Sequence, residues 1–255
     1  MGSVRRGRLR VLARYLGAAL AVATCGAVVF AGRSPASTLP TTSPAVSTYP
    51  FEIPVRTCPS WYGVPTHPST RPLSPIFANL PASVGARVSF VTDTAEKLTP
   101  ILTILNWSCE FGVGADGTWG LTSTNPADPR QRIDVNDPET TAGDAWVSLC
   151  GFDPQIDSVF PGEKCPFGPR HGEVLTKRVG NVTYFVDPAG QAGSAPGSGG
   201  SLATMGAAIY FGPGSTASTS PWGYGIVMGC TLTPSQRTLC RHLLANFVDH
   251  HQRSA

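Results

Sequence analysis

Helical periodicity is nearly absent from this sequence, charge is sparse, and none of its seven cysteines forms a C-x-x-C pair. Without amphipathic segments between its strand-like runs, the chain cannot supply the helical crossovers of a parallel α/β sheet. Without C-x-x-C, it lacks the spacing of a zinc ribbon or a thioredoxin-type dithiol. Charged residues make up only 14% of the 255, and their distribution is uneven. Residues 1–35 hold six of the 19 basic side chains and none of the 16 acidic ones, so the remainder carries thirteen basic against 16 acidic groups, a net −3. The sequence pI of 8.5 therefore belongs to the N-terminus and gives no ground for nucleic-acid binding. There is no internal repeat.

Arg5, Arg6, Arg8, Arg10 and Arg14 precede an uncharged apolar run from Tyr15 to Ala31, the layout of an export signal or a membrane anchor. At 1.5 Å per residue this run reaches roughly 26 Å, the lower edge of a bilayer span. Residues 1–32 are therefore expected to be a signal peptide or an N-terminal anchor, and the rest is extracytoplasmic either way. The run around Cys25 is a poor lipoprotein box, with Thr24 beside the cysteine, and Arg8 disfavours a twin-arginine signal. Residues 33–50 are rich in Ser, Thr, Pro and Ala, too poor in large apolar side chains to offset the entropy of ordering, and are expected to form a disordered stalk. A single domain is expected over 51–249.

The other six cysteines, Cys58, Cys109, Cys150, Cys165, Cys230 and Cys240, are an even number in a compartment that permits disulfides. Three bridges are expected, with fifteen pairings formally open. Cys230 with Cys240 is feasible if the strand before the last helix runs back beside it. Proximity then pairs Cys150 with Cys165 and leaves Cys58 with Cys109.

The last helix is the best defined element. Thr233, Pro234 and Gln236 give an N-cap, a proline at the first helical position and a capping-box partner. Leu239, Cys240, Leu243, Leu244 and Phe247 then fall within one arc of about 140°. Strands are predicted over 86–92, 107–113, 118–123, 173–178, 182–186, 205–211 and 226–230. The Gly114–Gly117 and Gly180-Asn181 clusters make hairpins of two pairs. Asp93 with Glu96 can cap a short helix, and Thr99-Pro100 can open another, a strand there remaining open. Seven prolines between Phe51 and Pro81 exclude central strands and long helices, with Trp61 and Tyr62 expected to pin this arm to the domain. Residues 125–144 read as a polar surface loop, and 189–201 as a glycine-rich one. The fold class is α+β: a largely antiparallel sheet of short strands, the C-terminal helix packed on it, stapled by disulfides.

No catalytic set, metal site or cofactor site is assigned. Gly112, Gly114 and Gly117 match G-x-G-x-x-G, but a strand rather than a helix follows, so they read as a hairpin turn. His171 and Glu173 lack the cysteine pair of a zinc deaminase. Asp128, Asp134, Asp137, Glu139 and Asp144 lack the spacing of a calcium loop and read as a solvated acidic stretch. Ser194, Ser198, Ser201 and Ser215 lack a nucleophile elbow, while the loop around the first three could offer backbone N–H groups to an anion. His250 and His251 are expected to be exposed where the helix frays.

Trp107-x-Cys109 with Gly114-Ala-Asp-Gly117, Asp187-Pro188-x-Gly190 with Gly193 and Ser198-Gly199-Gly200, and Cys230-Thr-Leu with Cys240 and the final helix resemble a group of exported actinobacterial proteins of unknown function. The resemblance spans residues 107–248 and departs from the group in the wide Cys150 to Cys165 spacing. It implies an envelope or secreted location and transfers no catalytic residue. The expected role is a non-catalytic surface module that contacts cell-envelope polymer or a protein partner and meets the membrane only through its N-terminal segment. The alternative is a secreted hydrolase whose site is assembled from distant residues, such as an acid of the 128–144 stretch with His171.

Overall fold

The computed structural model describes residues 48–68, 70–114, 117–137, 174–193, 195–212 and 223–253. The chain divides into the units Met1–Ala45 and Val46–Ala255, and the described residues belong to the second. The signal or anchor segment, the stalk up to residue 47, the Cys150–Cys165 pairing, Glu139, Asp144, His171, Glu173, Ser194 and Ser215 lie outside the described residues.

Among the described residues the main sheet has nine strands in the order β11 (Val174–Val179), β12 (Val182–Asp187), β13 (Thr204–Phe211), β14 (Tyr224–Thr231), β10 (Arg132–Asp137), β9 (Trp119–Thr124), β8 (Ser108–Val113), β3 (Ser60–Trp61) and β4 (Pro65–Thr66). All neighbours are antiparallel except β3 beside β8. A three-stranded sheet joins β2 (Val55–Thr57), β6 (Val88–Thr92) and β7 (Ile101–Ile104), and a ribbon pairs β1 (Thr48–Ile53) with β5 (Ile76–Pro81). The one-turn helix α1 (Ala82–Gly85) follows β5. The class is thus α+β with mainly antiparallel sheets, as expected. Strand β1 takes in Thr48 to Pro50, the last three residues of the stretch read as stalk.

Helix α2 (Arg237–Arg253) lies against β13, β14 and β7. Its buried apolar residues are Leu239, Cys240, Leu243, Leu244, Phe247 and Val248, the face the 3.6-residue period selects. Each such side chain contributes about 1.5–3 kcal/mol on burial, so packing rather than capping holds the helix. The capping box itself does not form. Pro234–Gln236 is a 3-10 turn, Thr233 makes no side-chain cap, and its hydroxyl instead donates to Gln236 Oε1 at 2.9 Å. Among the described residues two disulfides staple the fold: Cys230–Cys240, with Cα atoms 5.8 Å apart, and Cys58–Cys109, at 5.4 Å. The first ties α2 to β14. The second ties the proline-rich arm to β8.

Several expectations give way for identifiable reasons. Residues 132–137 are not surface loop but β10, flanked by β9 and β14, because its polar side chains find partners. Arg132 pairs with Asp134, Thr122 donates to Asp134 at 2.9 Å, and Tyr224 donates to Asp137 at 3.0 Å. Ile133 and Val135 meanwhile point into the core. Residues 101–104 form β7, buried along its whole length, which rewards β-branched Ile and Thr more than a helix would. No helix follows Asp93. Its carboxylate accepts the N–H groups of Ala95, Lys97 and Leu98 at 2.8–3.0 Å, and Glu96 takes a left-handed backbone, φ 57°. Trp61 is half exposed, at 50%, so Cys58 and the Tyr62 hydroxyl pin the arm without it. His251 is buried rather than frayed, since α2 continues to Arg253.

The glycine-rich loop over 188–203 is an internal latch. The N–H of Ala195 donates to Asp187 at 2.8 Å, Gly193 donates to the Ser198 hydroxyl at 2.8 Å, and Gly190 to the Gly200 carbonyl at 2.7 Å. The Ala195 N–H thus serves the protein's own Asp187, and those of Gly193 and Gly190 bond within the loop. Gly197 closes the latch with φ 78°, and a Cβ on it would collide with the Asp134 carboxylate. Gly197→Ala is expected to cost about 2 kcal/mol, from the left-handed penalty plus displacement of Asp134. Urea unfolding of the variant beside the wild type measures it, and a loss under about 0.5 kcal/mol would mean that the loop does not lock there.

Candidate functional site

Strand alternation gives the main sheet one face toward α2 and the core and a second face away from it. Phe111, Leu121, Ile133 and Val135 take the first. Over β12 to β14 the second face is closed, with Phe185, Val227 and Ala208 all buried. Over β3, β8 and β9, and on β10 at Asn136, it is open, while Asp134 is buried beneath Gly197. In-register partners share a face, so Trp61, Gly112, Gly120 and Asn136 stand in one row across these four strands. The row beside it is Glu110, Thr122 and Asp134, and the next is Ser108, Thr124 and Arg132. Three strand spacings make the first row about 14 Å long, and successive rows lie about 7 Å apart.

The chemistry of this face follows from its residue types. Gly112 and Gly120 carry no side chains, so the floor between Trp61 and Asn136 is bare backbone. A Cβ added at Gly112 would meet nothing within 4 Å. Trp61 is half exposed, and Ser108, Glu110, Gly112 and Asn136 are exposed. The Arg132 guanidinium is held by both oxygens of Asp134, with Nε at 2.6 Å from Oδ2. Its charge is thereby neutralised, and Glu110 is the one remaining ionic group in the three rows. The latch at Gly197 borders the face beside Asp134, and the β3–β4 hairpin borders it at Trp61. The second border is fastened by Cys58–Cys109 and by the Tyr62 hydroxyl, which donates to Asp93. Burial, followed by the bond to Asp93 and its charge, pushes the Tyr62 phenol up to about 12. Burial alone would raise the Asp93 carboxyl, but the Tyr62 hydroxyl and the N–H groups of Leu98, Lys97 and Ala95 hold it below the usual range. The hydrogen-bonded pair is therefore fixed at neutral pH.

Apart from this face, a cleft of about 320 Å³ opens beside the Asp93 turn and is lined by Val55, Pro72, Ile76, Leu98 and Pro100, with Arg71 and Glu96 as its charged residues. It has room for a small apolar group.

The acids singled out in the sequence do not converge. Asp128 lies in an exposed turn where the Arg130 guanidinium and the Gln131 amide hold its carboxyl down to about 2, the opposite of the elevation a general acid needs. Asp134 and Asp137 project from opposite faces of β10. Among the described residues no three metal-ligating side chains cluster, and no helix is long and apolar enough to cross a membrane. Gly112, Gly114 and Gly117 form the end of β8 and a hairpin turn, with Gly114 N–H on the Thr118 carbonyl at 2.7 Å. Ser198 is bound within the latch.

Sequence reasoning missed the open face. The predicted hairpin brings Gly112 and Gly120 into neighbouring strands, but only the observed register, with Val113 opposite Trp119, sets the two glycines opposite each other and leaves a side-chain gap beside Thr122 and Glu110. Compared with known proteins, the chain matches no family model, no curated protein and no solved structure.

Proposed function

We propose that the protein is exported and acts outside the cytoplasm as a non-catalytic binding module, with the second face of β3, β8, β9 and β10 as its contact surface. The observation that carries this reading is the bare glycine floor between Trp61 and Asn136, bordered by a half-exposed tryptophan on a disulfide-fastened hairpin. An exposed tryptophan held rigid costs little ordering entropy on binding and offers a large apolar face. The arginine-led apolar N-terminus, the disulfides and the resemblance to exported actinobacterial proteins all favour an extracytoplasmic location. Of the described acids that the hydrolase alternative could draw on, Asp128 is held ionised and Asp134 and Asp137 are committed to structural partners.

Co-sedimentation of the purified protein with isolated envelope from its own host tests the proposal. The wild type is expected to sediment, and Trp61→Ala to remain in the supernatant with unchanged melting. Equal sedimentation of both, or turnover of envelope material abolished by one carboxylate substitution, would contradict it.

A further inference from the structure

Resting on that reading and naming its ligand class, we infer that the open face binds a neutral polysaccharide, one sugar ring stacked on Trp61 and the strand laid over Gly112 and Gly120 toward Asn136. A pyranose has an apolar C–H face and an equatorial rim of hydroxyls. Trp61 supplies the aromatic plane for the first. Glu110 and Thr122, each two positions along its strand from Gly112 and Gly120, supply a carboxylate and a hydroxyl for the second, and Asn136 places an amide at the end of the row. The bare floor lets a flat ring approach the peptide planes, as a side chain at 112 or 120 would not.

Charge decides against an anionic polymer. Phosphate- or sulfate-bearing chains need free cations, whereas the one guanidinium in the three rows is occupied by Asp134 and the remaining ionic group, Glu110, repels them. Composition decides against a protein partner. A protein interface needs a buried apolar centre with several anchors, and these rows offer one large apolar side chain among hydroxyls, amides and glycines.

Affinity electrophoresis of the exported protein in gels containing hydroxyethylcellulose, laminarin, galactomannan or glycol chitin, with polygalacturonate and dextran sulfate as anionic controls, tests the class. At least one neutral polymer is expected to retard the wild type, and neither anionic one. Trp61→Ala should weaken retardation about tenfold or more, and Trp61→Phe should restore part of it. Gly112→Val plugs the floor without touching Trp61. Because a Cβ there meets nothing within 4 Å, it should melt like wild type yet lose binding. Val179→Ala, exposed at the opposite edge of the sheet, should bind normally.

Retardation by no neutral polymer overturns the ligand class, as does retardation by the anionic polymers alone. Envelope binding that Trp61→Ala abolishes, and that survives glycosidase digestion but not proteolysis, would mean a protein ligand, leaving the binding module standing and this inference not. Retardation by a neutral polymer that persists in both Trp61→Ala and Gly112→Val would overturn the assignment of the face.

Discussion

Replacing Cys58 and Cys109 together by serine is expected to lower stability by about 4 kcal/mol, because the bond closes a loop with a sequence separation of 51 and so removes more denatured-state entropy than a local staple does. For a domain of this size that is a fall in Tm of roughly 10 °C, to be read by thermal melting of the variant beside the non-reduced wild type. The shorter Cys230–Cys240 loop, with a separation of 10, is worth about 2.8 kcal/mol on the same account. The first bond matters more to function as well. Cys58 precedes β3 by two residues and Cys109 lies in β8, so the bond sets the spacing between Trp61 and Gly112. Ligand binding should therefore fall at temperatures where the variant is still folded. A loss below about 1 kcal/mol would mean that the arm is held by its other contacts.

The second large effect is a loss of stability on mild acidification, centred on His251. Its imidazole is buried at 8% exposure against Phe247, 4.8 Å between ring centroids, and its Nε2 has no hydrogen-bond partner. Burial, with the neighbouring His250 adding charge repulsion, lowers its pKa to about 4 from an unperturbed 6.5. The folded state thus favours the neutral ring, and the unfolded chain binds the proton first. Stability from this group is complete above pH 6.5 and is lost as pH falls from 6.5 toward 4, by about 3 kcal/mol in all. Urea unfolding at pH 7 and pH 4 measures it, with His251→Leu as control. The wild type should lose about 3 kcal/mol more than the variant over that interval; equal losses would mean that His251 finds a partner or water on protonation.

Much of this architecture was legible in the residues because local chemistry and tertiary context agree there. The apolar arc of α2, the Gly180-Asn181 hairpin and the pairing of Cys230 with Cys240 all follow from short-range patterns. The failures share a cause, which is that long-range partners changed the value of a residue. Arg132, Asp134 and Asp137 look like loop until Arg132 pairs with Asp134 and Thr122 and Tyr224 donate to the two carboxylates, and then the Ile133–Val135 alternation governs. Asp93 looks like a helix cap until its carboxylate turns out to hold a tight turn and the Tyr62 hydroxyl. The open face was illegible for another reason. It is defined by side chains that are absent at Gly112 and Gly120, and its one anchor, Trp61, comes from an arm whose parallel pairing with β8 no local pattern announces.

Hydrogen–deuterium exchange of the exported protein, with and without a saturating neutral polysaccharide that retards it, tests the central claim most directly. Protection is expected over 60–66, 108–113 and 119–124, the strands and hairpin that bear Trp61, Gly112 and Gly120, with residues 71–76 and 96–100 around the cleft unchanged. Protection confined to the cleft, or no change over β8 and β9, would contradict it.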